Sequence, residues 1–384
     1  MIPFASRLAI LLLSALAASA QTRHKIDINT ETPEGQLLQK IGQEQDEAAK
    51  LKLMEDFSSK HSAHPAMAWV MGQEAPAYVK AKQWDKVFPV AEKLVALDPT
   101  DAEMAYTGLQ AAVGKDDTDL IIKWAGTVID AAKKGEKLPK PSNEDEVSSW
   151  EYKVKFSQQV QERAQYEVMT AGLRAQDPAK KIQLASALEQ MSPGNKFIPQ
   201  IEESAFNSFR QGGQNDKAID LATKLAAKGA ANEDMLLLLA SGAFEKKQND
   251  QVVDYSDKLV NLMKTKDAPQ GVDAAAWAKK KNVSIGTGLF LKGMVLMGNN
   301  KLADADTVLR EGVPFMEGND ALLGPTLFNL GLANYKMAQG KKPDMKRMKD
   351  ALDFSRRAAA IKGSPFAGQA AKNVAVIQQQ SGLK

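Results

Sequence analysis

Apolar residues recur along this chain at spacings of three and four, in blocks closed by glycine or proline, and one such block repeats. Trp84-Asp85-Lys86-Val87 leads through Ala91 and Leu94 to Leu97-Asp98-Pro99. Asn215-Asp216-Lys217-Ala218 leads through Ala222 to Leu225, and Lys301-Leu302-Ala303-Asp304-Ala305 through Leu309 to Gly312. On a helix, positions four and seven beyond an anchor share its face, so Val87, Ala91 and Leu94 form one inward stripe. Pro99 ends the stripe, because proline lacks an N–H and disfavours helix at the residue before it. The pattern predicts an all-α chain.

Aligning the block on its small or β-branched anchor places equivalents at Ala48, Val87, Ile121, Lys181, Ala218, Val252, Ala305 and Ala351. Val87 to Ile121 and Ala218 to Val252 are each 34 residues apart. A small anchor lets a second helix approach the first closely. The preceding helix has marks of its own: Leu327-Phe328-Asn329-Leu330-Gly331-Leu332-Ala333-Asn334-Tyr335-Lys336, with Gly331 at a close helix contact, Gly293 one unit earlier, and Tyr78 as a packing aromatic. A helix–turn–helix unit of this period resembles the tetratricopeptide repeat. The resemblance covers roughly 35–365 in about eight units, degenerate near 35–66 and 145–195. Lys181 stands where a small residue is expected, and Met71, Leu236, Leu289 and Leu327 replace the family's first-helix tryptophan. It implies a TPR-like α-α superhelix, a solenoid of antiparallel helix hairpins, in which the phrase belongs to second helices and first helices line a concave face.

Three insertions break the period. One contains Lys133 to Ser142, a loop by its proline, glycine and charge. Another contains Ala268-Pro269-Gln270-Gly271 followed by a helical stretch from Val272 to Lys281, with Gly286-Thr287-Gly288 as a helix-entry turn. The third is Gly340-Lys341-Lys342-Pro343-Asp344. Residues 366–384 read as a C-terminal capping helix, with the polar Gln378 to Gln380 toward solvent.

The N-terminus reads as a signal peptide over residues 1–20. Arg7 precedes an apolar run from Leu8 to Ala18, and Ala18-Ser19-Ala20 places cleavage before Gln21. The run is shorter than the about 20 residues that cross a bilayer. Residues 21–34 read as a flexible lead. The expected location is periplasmic or secreted. The chain has no cysteine, which excludes disulfides, thiolate nucleophiles and lipid attachment after the signal. A formal charge of +3 gives no electrostatic case for nucleic acid.

Chemistry is sparse. His24, His61 and His64 are the three histidines, and His61 and His64 lie in a loop. No phosphate-binding glycine loop or nucleophile elbow occurs, and the three-residue spacing of His61 and His64 could bring two ligands together but has no cysteine to complete the three or four that a metal site needs. The expectation is therefore a non-enzymatic scaffold with no catalytic, cofactor or metal residues, no cofactor, and a protein or peptide partner. The resemblance carries the groove positions over to Phe244, Phe290, Met294, Met297, Phe328, Leu332 and Tyr335, against mixed equivalents Gly72, Pro76, Val79, Gln200, Glu203, Asn207 and Arg210. An alternative is a structural subunit of an envelope assembly that uses its convex face or loops. An enzyme or carbohydrate-binding module is the less favoured third reading.

Overall fold

The computed structural model describes Ile26 and residues 28–384. The expected signal peptide and most of the expected lead lie outside the described residues. Among these residues the regular structure is helical throughout: α1 (Pro33–Gln43), α2 (Glu47–Lys60), α3 (Met67–Lys80), α4 (Trp84–Leu97), α5 (Ala102–Lys115), α6 (Thr118–Gly135), α7 (Glu144–Arg174), α8 (Pro178–Met191), α9 (Ile198–Gln211), α10 (Asn215–Ala227), α11 (Glu233–Glu245), α12 (Asn249–Thr265), α13 (Ala274–Gly298), α14 (Leu302–Met316), α15 (Asp320–Ala338), α16 (Met345–Ala360) and α17 (Ala367–Ser381). They form two compact units, and the division between Ser208 and Phe209 falls within α9.

Within each unit consecutive helices pack on one another, from α1 to α8 in the first and from α10 to α17 in the second, as in a solenoid of helix hairpins. First helices also touch one another, α3 with α5 and α5 with α7 in one unit, α11 with α13 and α13 with α15 in the other. Among second helices the comparable contact is α6 with α8.

One turn recurs within the hairpins. Gln83 N–H donates to Tyr78 O, Asp117 to Ala112, Gln214 to Phe209, Gln248 to Ala243 and Lys301 to Leu296. Each is the six-to-one bond of a Schellman turn, which needs a left-handed residue just before the donor. Gly213 supplies it once, at φ 69°, but Lys82, Asp116, Lys247 and Asn300 do so elsewhere, at φ 55–57°. Second helices entered this way at Gln83, Gln214, Gln248 and Lys301 have no side-chain cap. Asp117 caps its helix as well as closing such a turn, and of the other entries Asp46, Asp101, Asn143, Asp177, Asn232, Asp273 and Asp344 cap by accepting from backbone N–H groups, whereas Ala66, Asn319 and Phe366 do not.

The predicted stripes are the core. Val87, Ala91, Ala218, Ala222, Val252, Ala305, Leu309 and Ala351 are fully buried. Gly331 and Gly293 allow close approach: a methyl at Gly331 would sit 2.6 Å from Ser355 Oγ, and one at Gly293 would run into Leu309. Tyr78 is buried, its hydroxyl donating to Glu55 at 3.1 Å.

Two local expectations need correction and two are refined. Ala48 is exposed, because α2 begins at Glu47 and turns Leu51, Met54 and Phe57 inward instead. Lys181, which stands where a small residue is expected, keeps the register: it is buried at the fourth position of α8, as Val87 and Ala218 are in their helices. In the first insertion residues 136–143 form the expected loop, only 133–135 belonging to α6, and the rest of the insertion is taken up by α7, which runs for 31 residues where α5 and α8 run for 14. Gly286-Thr287-Gly288 is no entry turn but lies inside the 25-residue α13, where a methyl on Gly288 would press on Val260 at 2.9 Å. The inserted stretch and the first helix it precedes have thus fused.

Candidate functional site

The seven residues expected to line a groove all belong to first helices of the second unit. Phe244 ends α11, Phe290, Met294 and Met297 lie on α13, and Phe328, Leu332 and Tyr335 on α15. Phe244 is 37% exposed and the other six are partly buried, so none is sealed in the core. None carries a charge.

The row divides by what each side chain touches. Phe290 packs against Ala240, Ala243, Val252 and Leu291, and it also joins the cluster of Leu309, Met316 and Leu327. Met297 and Phe328 border that second cluster. These three therefore hold helices together as well as facing outward. Phe244 is exposed, and Met294 joins neither cluster. With Val295, Gly298, Glu245, Lys247 and Asn249 they line an open, mostly apolar depression of about 380 Å³. The left-handed Lys247 sets the rim by ending α11 there.

At the other end the row meets α17. The Phe328 and Phe366 rings lie 5.1 Å apart, and the Tyr335 hydroxyl donates to Gln380 Oε1 at 2.9 Å. Phe366 and Gln380 were not legible as site residues, because their approach to α15 depends on where the last helix docks. Asn329 is buried and donates to Pro325 O at 2.8 Å, so its amide is used within its own helix.

The polar clusters serve the scaffold. Asn334 is fully buried, donating to Asp306 and to Leu330 O, and its carbonyl accepts from Arg310 and Arg347. Glu233, nearly buried, accepts from Lys266 at 2.6 Å and pairs with Lys280 at 2.8 Å. Burial alone would raise its pKa, but the two ammonium groups hold it down at about 2. This pins α13 and the segment after α12 to the start of α11.

In the first unit the His61 ring lies tilted against Phe57, His64 meets Phe57 edge-on, and His64 Nδ1 accepts from the Ala66 N–H. Among the described residues no group of histidine and carboxylate side chains could hold a metal ion. No helix of the described residues is long and apolar enough to cross a membrane. The first unit has an apolar surface that the repeat register did not predict. Tyr152 and Tyr166 on α7 are 58% and 53% exposed, with Leu173 in line beyond them. Phe156 stacks on Tyr152, and Phe197 meets Tyr166 edge-on. The only signal for it was the length of an uninterrupted helical pattern after Asn143.

No protein-family model matches the chain, and no curated protein matches it.

Proposed function

We propose that the protein is a non-enzymatic interaction scaffold, and that the uncharged row from Phe244 to Tyr335 binds a peptide or helix of a protein partner. The observation that carries this is the depression between Phe244 and Met294, on the face that first helices share. An amphipathic helix recognised by its apolar residues fits such a surface, and methionine side chains re-pack for varied partners. The resemblance to tetratricopeptide repeats supports the same reading. The test is affinity capture with Phe244→Ser and Met294→Ser. Loss of the captured partner with unchanged helicity is the expected result, and undiminished capture overturns the assignment. Phe290 and Phe328 are poorer probes because they also pack in the core.

The signal-peptide reading of residues 1–20 places this scaffold in the periplasm or outside the cell. N-terminal sequencing of the exported protein should begin at Gln21. A protein that retains Met1 overturns it.

A second reading is favoured by Tyr152, Tyr166 and Leu173: a structural subunit that docks through α7. Photo-crosslinking from position 152 or 166 that captures a partner, while position 244 captures none, supports it over the groove.

A further inference from the structure

We propose that α17 is a displaceable occupant of the apolar row: it covers Phe328 and Tyr335 when no partner is bound, and a partner's amphipathic helix takes its place. The proposal rests on the reading of that row as a partner-binding face. Three features point to it. First, α17 touches the row near its two ends, with Phe366 against Phe328 and Gln380 accepting from Tyr335. Those two side chains define what a competitor must present, namely a large apolar group and an amide about four turns apart on one helix. Second, α17 packs chiefly on α16 and buries few of its own side chains: Ala370 and Ile377, against five residues of α16. Few buried apolar groups mean a low local opening free energy. Val376 is 42% exposed on its outer side. Third, its link to α16 is short and exposed: Lys362, Gly363 and Pro365 face solvent, and Gly363 sits at φ 80°, a left-handed conformation that glycine adopts without strain.

The charges agree with exchange of one uncharged helix for another. Helix α17 has no acidic residue, its single cation Lys372 is exposed, and the row it covers is uncharged. An uncharged amphipathic helix can replace it without leaving a buried charge unpaired.

Hydrogen exchange on the full-length protein tests the idea. Amides of α17 should exchange roughly 100-fold faster than those of α16. Phe366→Ala with Gln380→Ala should speed α17 by a further tenfold or so, leave α16 unchanged, and raise the fluorescence of the apolar dye 8-anilinonaphthalene-1-sulfonate. Protection of α17 equal to that of α16 overturns the proposal, as does loosening of both helices together or an unchanged dye signal. Failure of the partner-face reading looks different: Phe244→Ser and Met294→Ser leave capture intact while α17 still opens.

Discussion

The ammonium of Lys181 lies 3.1 Å from the carbonyl oxygen of Gly172 and also donates to Leu173 O, which makes a buried lysine the cap of the helix before it. The last carbonyls of a helix lack partners within it and favour a cation. The lysine stem fills the space that an alanine or valine fills at other anchors. Lys181→Ala should therefore cost about 2 kcal/mol, from lost packing and unpaired carbonyls together. Lys181→Met keeps the stem and should cost less. Burial lowers the Lys181 pKa, so the folded state sheds its proton at a lower pH than the unfolded chain. The burial cost is full at neutral pH and disappears as pH rises toward the usual lysine range. Urea titrations between pH 7 and 10.5 should show wild type gaining on Lys181→Met with rising pH; a constant gap would falsify this account.

Gly331 faces Ser355, whose hydroxyl is buried with no hydrogen-bond partner among the described residues. Serine stands there for its size. Ser355→Ala should be neutral or stabilising by up to about 1 kcal/mol, because the hydroxyl is desolvated without return. Gly331→Ala should destabilise by about 2 kcal/mol through overpacking, and adding Ser355→Ala should recover part of that. Gly242 is the control: it has open space around it in α11, so Gly242→Ala should gain about 0.5–1 kcal/mol of helix propensity. Thermal melts of the four variants decide the matter, and equal effects at Gly331 and Gly242 would remove the close-approach argument.

The recurrent hairpin turn gives a graded prediction. Lys82 and Lys247 hold a left-handed conformation that costs a side-chain-bearing residue about 1 kcal/mol. Lys82→Gly and Lys247→Gly should each stabilise by about that amount, seen as a higher urea midpoint at unchanged slope. Asn300→Gly should gain less, because asparagine tolerates this region. Gly213→Ala should lose about 1 kcal/mol.

These turns also show how far the fold was readable. The stripe of Val87, Ala91 and Leu94 stood out because burial on one helical face imposes a 3.6-residue period on sequence. The turns did not, because lysine at position 82 or 247 gives no sign of left-handed backbone; the hairpin geometry imposes it. Helix fusion was hidden for a related reason. Glycines at 286 and 288 read as breakers, yet contacts with Met316 and Val260 require small residues inside a continuous helix. At the candidate site the register named Phe244 and Met294, which line the depression. It could not show that Phe366 and Gln380 come to lie on Phe328 and Tyr335, since where the last helix docks leaves no periodic trace.

Two buried glutamates should move stability with pH in opposite senses. Glu233 is held at about pKa 2 by Lys266 and Lys280 against the effect of burial. Its folded pKa lies below the ordinary carboxylate value, so its contribution is present above about pH 4.5 and lost as pH falls toward 2. Glu74 is the reverse. Burial raises its pKa, the hydrogen bond from Ser58 at 2.7 Å lowers it less, and the nearby Glu55 raises it again. A folded pKa above the unfolded one means stability that is full in acid and falls away as pH rises through the folded value. Glu74→Gln keeps an acceptor for Ser58 and removes the buried charge, so it should stabilise the first unit at pH 7 by about 1 kcal/mol and show no benefit below pH 4. Glu233→Gln should weaken the second unit at pH 7 by about 2 kcal/mol, discounted for the partly exposed lysines, and should lose that difference near pH 2. Urea unfolding at pH 3, 5 and 7, with a tryptophan probe in each unit (Trp124 and Trp277), separates the two effects; the same sign for both variants at pH 7 would refute the assignment of their environments.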